Sequence, residues 1–173
     1  MKNKIIIVFS GKQFSGKDTV AKILLERFSS FKRIGIADAI KQRYSKQTGL
    51  SLQEIEQNKP KYRQDLIDLG NWGRAQSPDF WLNEIAAYEG NTIVTDVRMP
   101  HELEVFRSFG AFAIRVEASV EARSKRGTIT ALNDDTETAL DGIKDWDYVF
   151  SNEGSYEDLK IETEKLISAI KNK

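Results

Sequence analysis

The stretch Ile5-Ile-Ile-Val-Phe-Ser10-Gly11-Lys12-Gln13-Phe14-Ser15-Gly16-Lys17-Asp18-Thr19 decides the fold. Its opening residues form an unbroken apolar run, as expected of a parallel strand covered on both faces. Glycine, four residues and Gly-Lys follow at once. Val20, Ile23, Leu24 and Phe28 then recur on one helical face. Strand, glycine-rich turn and helix in this order are the context that a phosphate-binding loop requires. Glycines let the backbone curl and turn its N–H groups inward. A helix beginning near Lys17 adds its unpaired N–H groups and positive end. Gly11, Lys12, Ser15, Gly16, Lys17, Asp18 and Thr19 are therefore the candidate nucleotide-binding residues, with Lys17 placing its charge on the β- and γ-phosphates. The competing reading is a plain strand-to-helix turn with a surface lysine.

Asp18 stands where such loops usually carry a Ser or Thr that ligates magnesium. Magnesium keeps several waters, so a carboxylate here is expected to hold the hydrated ion, leaving Thr19 to reach a phosphate. Alternatively, Asp18 only complements the helix dipole. Either way the departure argues against switch GTPases and motor ATPases.

Outward from the loop, residues 5–10, 33–37, 92–97, 111–118 and 148–151 read as strands alternating with helical periods. The fold class expected is α/β, a three-layer P-loop kinase fold with a five-stranded parallel sheet. Residues 38–91 are helical in pattern throughout and too long for one crossover, so they read as a substrate-binding insertion. Residues 121–145 read as a second, more polar insertion, a small lid. The expectation is one domain, residues 1–173, with both insertions. Ser51-Leu-Gln-Glu54 and Ser155-Tyr-Glu-Asp158 carry helix-start patterns. Pro60, Pro78 and Pro100 each suit a first helical turn.

Composition narrows the chemistry. In 173 residues, 26 Lys+Arg balance 26 Asp+Glu, which argues against a general nucleic-acid coat. There is no Cys, so disulfides, thiolate metal sites and cysteine nucleophiles are excluded together, and His101 is the only histidine. The longest apolar run ends at Phe9, far short of the roughly 20 residues of a membrane span. Lys2 and Lys4 precede no signal-peptide core, so a cytoplasmic location is expected.

A second strand end, Thr92-Ile-Val-Thr-Asp96-Val-Arg98, is expected beside the loop, because ligands of such sheets lie outside the carboxyl ends of the strands. Asp96 then joins Asp18 as a candidate magnesium residue, and Arg98 is a candidate for the acceptor phosphate; the alternative is a buried ion pair. Arg123 and Arg126, three apart on one helix face, are candidate lid arginines that stabilise the transferring phosphoryl group. With Lys17 and Arg98 they make up the candidate catalytic set. Lys59, Lys61, Arg63 and Arg74 form a basic cluster in the helical insertion. Many arginines without a clear base fit an acceptor that is already a phosphate, where catalysis is positioning plus charge neutralisation.

Several segments resemble the animal-type phosphomevalonate kinases. They are Phe9-Ser-Gly-Lys-Gln-Phe-Ser-Gly-Lys-Asp18, Ala39-Ile-Lys-Gln-Arg-Tyr44, Tyr62-Arg-Gln-Asp-Leu-Ile67, Arg74-Ala-Gln-Ser-Pro-Asp-Phe80, Asp96-Val-Arg98, Arg123-Ser-Lys-Arg-Gly127 and Asp145-Trp-Asp-Tyr-Val149. They keep their order over nearly the whole chain. The resemblance implies a nucleoside-monophosphate-kinase-like fold and ATP-dependent, magnesium-assisted phosphorylation of 5-phosphomevalonate to the diphosphate. It carries Lys12, Lys17 and Asp18 onto the phosphate loop, and Arg63 and Arg74 onto substrate-side positions. Arg98 and Arg115 are carried onto further substrate-binding positions, and Arg123 and Arg126 onto the lid. Met99 stands where the family commonly has a second basic residue, and Gln13 and Phe14 where its loop is more basic. A deoxynucleoside monophosphate kinase and a non-catalytic ATP-binding protein remain the alternatives. The expected partners are ATP and a small phosphorylated substrate, with no nucleic acid and no membrane, and the chain is expected to be a monomer.

Overall fold

A computed structural model describes residues 4–129 and 135–171. Their contacts divide into two compact units, Met1–Arg33 with Glu89–Lys173, and Ile34–Tyr88.

The first unit is built on a five-stranded, wholly parallel sheet, in agreement with the expected α/β class. Strands β1 (Ile6–Ser10), β2 (Phe31–Arg33), β3 (Asn91–Val94), β4 (Phe112–Glu117) and β5 (Tyr148–Ser151) lie in the order β2-β3-β1-β4-β5. The central strand β1 is buried along its whole length, which explains its continuous apolar run. Val8 pairs with Val94 on one side and Ala113 on the other, so the carboxyl ends of three strands open together. Helices α1 (Lys17–Arg27) and α9 (Tyr156–Lys171) pack on each other and on the sheet. Val20, Leu24, Leu159, Leu166 and Ile170 enclose Ile7, Phe9, Ile114 and Phe150 in one apolar core. Helix α6 (Pro100–Ser108) packs against β1 and β4. Two short helices, α7 (Val120–Arg126) and α8 (Asp135–Thr138), belong to the same unit.

The second unit is helical throughout: α2 (Ile36–Thr48), α3 (Leu52–Gln57), α4 (Lys59–Gln76) and α5 (Phe80–Ala87). Trp81 is its central side chain, buried, with Nε1 donating to the carbonyl of Gly70 at 3.0 Å. Gly73 is required beneath it, because a β-carbon there would come within 2.6 Å of the indole.

The second strand is displaced from the expected residues 33–37 to Phe31–Arg33. The alternation Ile34-Gly-Ile36 resembles a strand, but the Asp38 carboxylate accepts the Gly35 N–H at 3.0 Å and starts α2 at Ile36. Pro78 sits in a turn before α5, not in its first turn; there Asp79 N–H donates to Ser77 Oγ. No described helix is long and apolar enough to cross a membrane.

Candidate active site

The loop leaves β1 at Ser10 and closes with Ser15 N–H donating to the Lys12 carbonyl at 3.0 Å. Gly16 caps α1 at φ 99°, a left-handed conformation for which glycine is suited. A β-carbon at Gly16 would also collide with the Asn152 amide, which donates to the Ser15 carbonyl at 2.8 Å. Ser15 is buried, and its Oγ has no hydrogen-bond partner among the described residues. Lys17 opens α1 with its side chain only 11% exposed. Thr19 lies half-buried in the first turn. The departure Phe14 takes φ 61°, and its ring lies where a β-carbon of Gly127 would stand.

Arg123 and Arg126 hold the loop from its carbonyl side. Arg123 is 2% exposed, and its Nη1 donates to the Gln13 carbonyl at 3.2 Å. Arg126 Nη1 donates to the Phe14 carbonyl at 3.2 Å, and Nη2 to the Asn152 carbonyl at 2.8 Å. Helix α7, which carries both, starts at Ser119, whose hydroxyl accepts from Ala122 N–H. Glu153 accepts both the hydroxyl and the N–H of Ser119, which holds its carboxyl below the ordinary range.

Carboxylates meet the loop at its N–H and cationic groups. Glu137, in α8, accepts the Gln13 N–H at 2.8 Å and an Arg98 Nη1–H at 3.2 Å. Asp141 accepts from Lys12 Nζ at 2.7 Å and from Arg115 Nη2 at 2.8 Å. Arg115, buried in β4, also donates to Ser10 Oγ at 2.9 Å. Lys12, Arg98 and Arg115 are thus brought to the loop, as Arg123 and Arg126 are. A cavity of about 650 Å³ beside it is lined by Lys12, Arg115, Arg123, Asp141, Trp146 and Glu153, among others. This volume is within the range of small-molecule sites.

Asp18 is an exposed carboxylate, 3.7 Å from Lys17 Nζ and 3.8 Å from Arg33 Nη2. Arg33 is steadied by donation to Thr95 Oγ1 at 2.9 Å. Asp96 is half-buried and follows β3, the strand paired with β1. No group of three or more His, Cys, Asp or Glu with metal-holding geometry occurs among the described residues. Two hard oxygen donors flanking a phosphate loop fit magnesium, which typically takes one or two carboxylates, waters and substrate phosphates rather than a full protein cage.

Arg63 and Arg74 lie in the helical unit. They are eleven residues apart on α4, about three turns, and so share a face. Both line a cavity of about 290 Å³ with Lys41 and Lys59 at its edge and Ile40, Leu66 and Ile67 in its wall. Neither arginine has a carboxylate partner among the described residues; Arg74 donates to the Asn71 amide oxygen at 3.3 Å. Of the aromatic residues nearby in sequence, Trp81 is core. Trp72 and Phe80 meet edge to face, with the Arg43 guanidinium 5.4 Å from each ring. Tyr44 donates to Asp65 at 2.7 Å, which pushes its hydroxyl up to about 12.

Sequence reasoning missed Glu137, Asp141, Asn152 and Arg33. The usable signal was the spacing of Glu137 and Asp141, four apart in the segment read only for its arginines.

The geometry agrees with the kin of the chain. In solved structures it resembles shikimate kinase from Bacteroides thetaiotaomicron, at 15% identity and TM-score 0.57 over 96% of this chain and 98% of that one. It also resembles shikimate kinase from Aquifex aeolicus, at 18% and 0.53 over 97% and 98%. A sugar kinase from Janibacter sp. matches at 16% and 0.56 over 97% and 95%. At such identities the likeness speaks for the fold alone. The family model of phosphomevalonate kinase matches residues 9–112, and that of deoxynucleotide monophosphate kinase matches residues 64–163. Each covers more than half of the chain, and they share residues 64–112. The chain is a P-loop kinase that belongs to the phosphomevalonate kinase family, with the deoxynucleotide monophosphate kinases as the second family whose pattern it meets.

Proposed function

We propose that the chain transfers the γ-phosphoryl group of ATP to the phosphate of 5-phosphomevalonate. The observation that carries this reading is the cavity of the helical unit. Arginines 63 and 74, without carboxylate partners among the described residues, stand over an apolar wall that no aromatic residue lines. That chemistry suits a small, branched acceptor with anionic ends and a methyl group to place on the wall better than a flat nucleobase, which needs an aromatic platform.

In this reading Gly11, Ser15, Gly16, Lys17 and Thr19 hold the ATP phosphates through backbone N–H groups, hydroxyls and the lysine charge. Lys12, Arg98 and Arg115 are assigned to the acceptor phosphate, and in the helical unit Arg63 and Arg74 are assigned to acceptor recognition. Asp18 and Asp96 hold magnesium, which neutralises phosphate charge when bound. An acceptor phosphate is already ionised, so no residue need remove a proton. The chain's residues align the two phosphates and offset the charge that builds between them.

The second reading is a deoxynucleoside monophosphate kinase. It is favoured by the match over residues 64–163 and by the Trp72–Phe80 pair, 43% exposed at Trp72. ADP release from magnesium-ATP, measured against 5-phosphomevalonate and a panel of nucleoside monophosphates, decides between them. The first reading expects saturable turnover with phosphomevalonate and none with the nucleotides; the reverse pattern overturns it.

A further inference from the structure

A phosphate loop works by aiming backbone N–H groups and cations at a bound anion. In this chain several of those groups already hold anions from the chain itself. The Glu137 side chain is only 8% exposed, yet it accepts from Gln13 N–H, inside the loop, and from Arg98. Asp141 bridges Lys12 and Arg115, one oxygen to each. Two carboxylates four residues apart thus engage three cations and one loop N–H. Ionised partners strengthen such bonds, and the two on Asp141, at 2.7 and 2.8 Å, are also short.

The geometry points to Glu137, seconded by Asp141, as a built-in anion that occupies the phosphate-binding groups when no ligand is present and must be displaced for phosphates to bind. The inference rests on the phosphate-loop reading of residues 11–19. A carboxylate and a phosphate cannot share Gln13 N–H and Arg98 cheaply, because like charges a few ångströms apart repel strongly where water is excluded. One must leave. Loading then selects for ligands carrying enough charge to win the exchange. The apparent affinity is the intrinsic affinity reduced by the fraction of molecules with the carboxylates released.

The test uses the whole chain. Glu137→Gln keeps the size and an acceptor oxygen but removes the charge. Because the Gln13 N–H that Glu137 holds belongs to the loop assigned to the ATP phosphates, calorimetric titration with ATP in the presence of magnesium is expected to show binding about 3- to 10-fold tighter than wild type. Unchanged or weaker binding overturns the proposal. Wild-type protein supplies a measurement that does not depend on the variant folding. Amide hydrogen exchange across residues 135–141 is expected to quicken when ATP is added, whereas slower or unchanged exchange contradicts displacement. Lys17→Ala separates the two layers of the argument. Lost ATP binding in Lys17→Ala, with no tightening in Glu137→Gln, overturns the built-in anion alone. Intact ATP binding in Lys17→Ala overturns the phosphate-loop reading beneath it.

Discussion

Helix α7 and helix α8 both touch the phosphate loop, but with opposite charge and on opposite kinds of backbone group. Arg123 and Arg126 of α7 donate to loop carbonyls at Gln13 and Phe14. Glu137 of α8 accepts from a loop N–H and from Arg98. A curled loop that aims N–H groups inward must turn carbonyls outward. Cations on those carbonyls brace the loop and remain compatible with a bound phosphate, whereas a carboxylate on the N–H side stands where a phosphate is wanted. The lesson is that one polar segment, residues 121–145, contains both a support of the site and a competitor for it.

Charge removal inside the loop has the largest expected effect. Lys17→Ala is expected to cut phosphoryl transfer about 100-fold or more. Its circular dichroism spectrum is recorded beside the assay, because the Lys17 side chain is only 11% exposed and its loss removes packing as well as charge. Turnover near wild type in the folded variant would remove Lys17 from the chemistry.

On the supporting side, Arg123→Met deletes a buried guanidinium and leaves the Gln13 carbonyl without that donor. The expected loss is about 1–3 kcal/mol of stability, read as a melting temperature several degrees lower, together with weaker ATP binding. If ATP binding tightens instead, the contrast between the two helices is drawn the wrong way round.

The acceptor side is sharpened by Arg63→Met, which keeps the apolar stem and removes the charge and its fork of donors. An increase of about tenfold in acceptor KM, worth about 1.4 kcal/mol, is expected with the ATP KM unchanged. A raised ATP KM would move the cavity of the helical unit to the other substrate. Asp18→Asn is expected to shift the magnesium titration of activity to higher concentration. Superimposed titrations of variant and wild type would leave Asp18 as a helix-end charge.

The smallest effect concerns pH. The Ser119 hydroxyl and N–H hold the Glu153 carboxyl below its ordinary 4.5. Its folded value is depressed, so its contribution is complete above the ordinary value and is lost as pH falls through the depressed one. Thermal melts of wild type and Glu153→Gln should therefore differ most near neutrality and converge in acid. A gap that widens in acid contradicts this sign.

Local patterns were legible in the sequence because local forces set them. The apolar run of β1, the glycine spacing of the loop and the Ser51 cap each depend on neighbours a few residues away. The Ser51 cap is present, with Glu54 N–H donating to Ser51 Oγ. Strand β2 misled because Ile34 and Ile36 alternate like strand residues, while a single carboxylate, Asp38, tips the segment into a helix. The candidate site was legible where it is contiguous. Glu137 reaches Gln13 across 124 residues of chain, and Asp141 reaches Lys12 across 129. No periodicity encodes such a meeting, and only the folded sheet brings these groups together.

The most direct test of the account is phosphorus NMR of a reaction containing the protein, magnesium, ATP and 5-phosphomevalonate. A diphosphate monoester is expected to grow in step with ADP at the expense of the phosphate ester, and at a rate about 100-fold or more lower with Lys17→Ala. Orthophosphate accumulating in its place, or an unchanged phosphate ester beside a consumed nucleoside monophosphate in a parallel tube, would contradict transfer to phosphomevalonate.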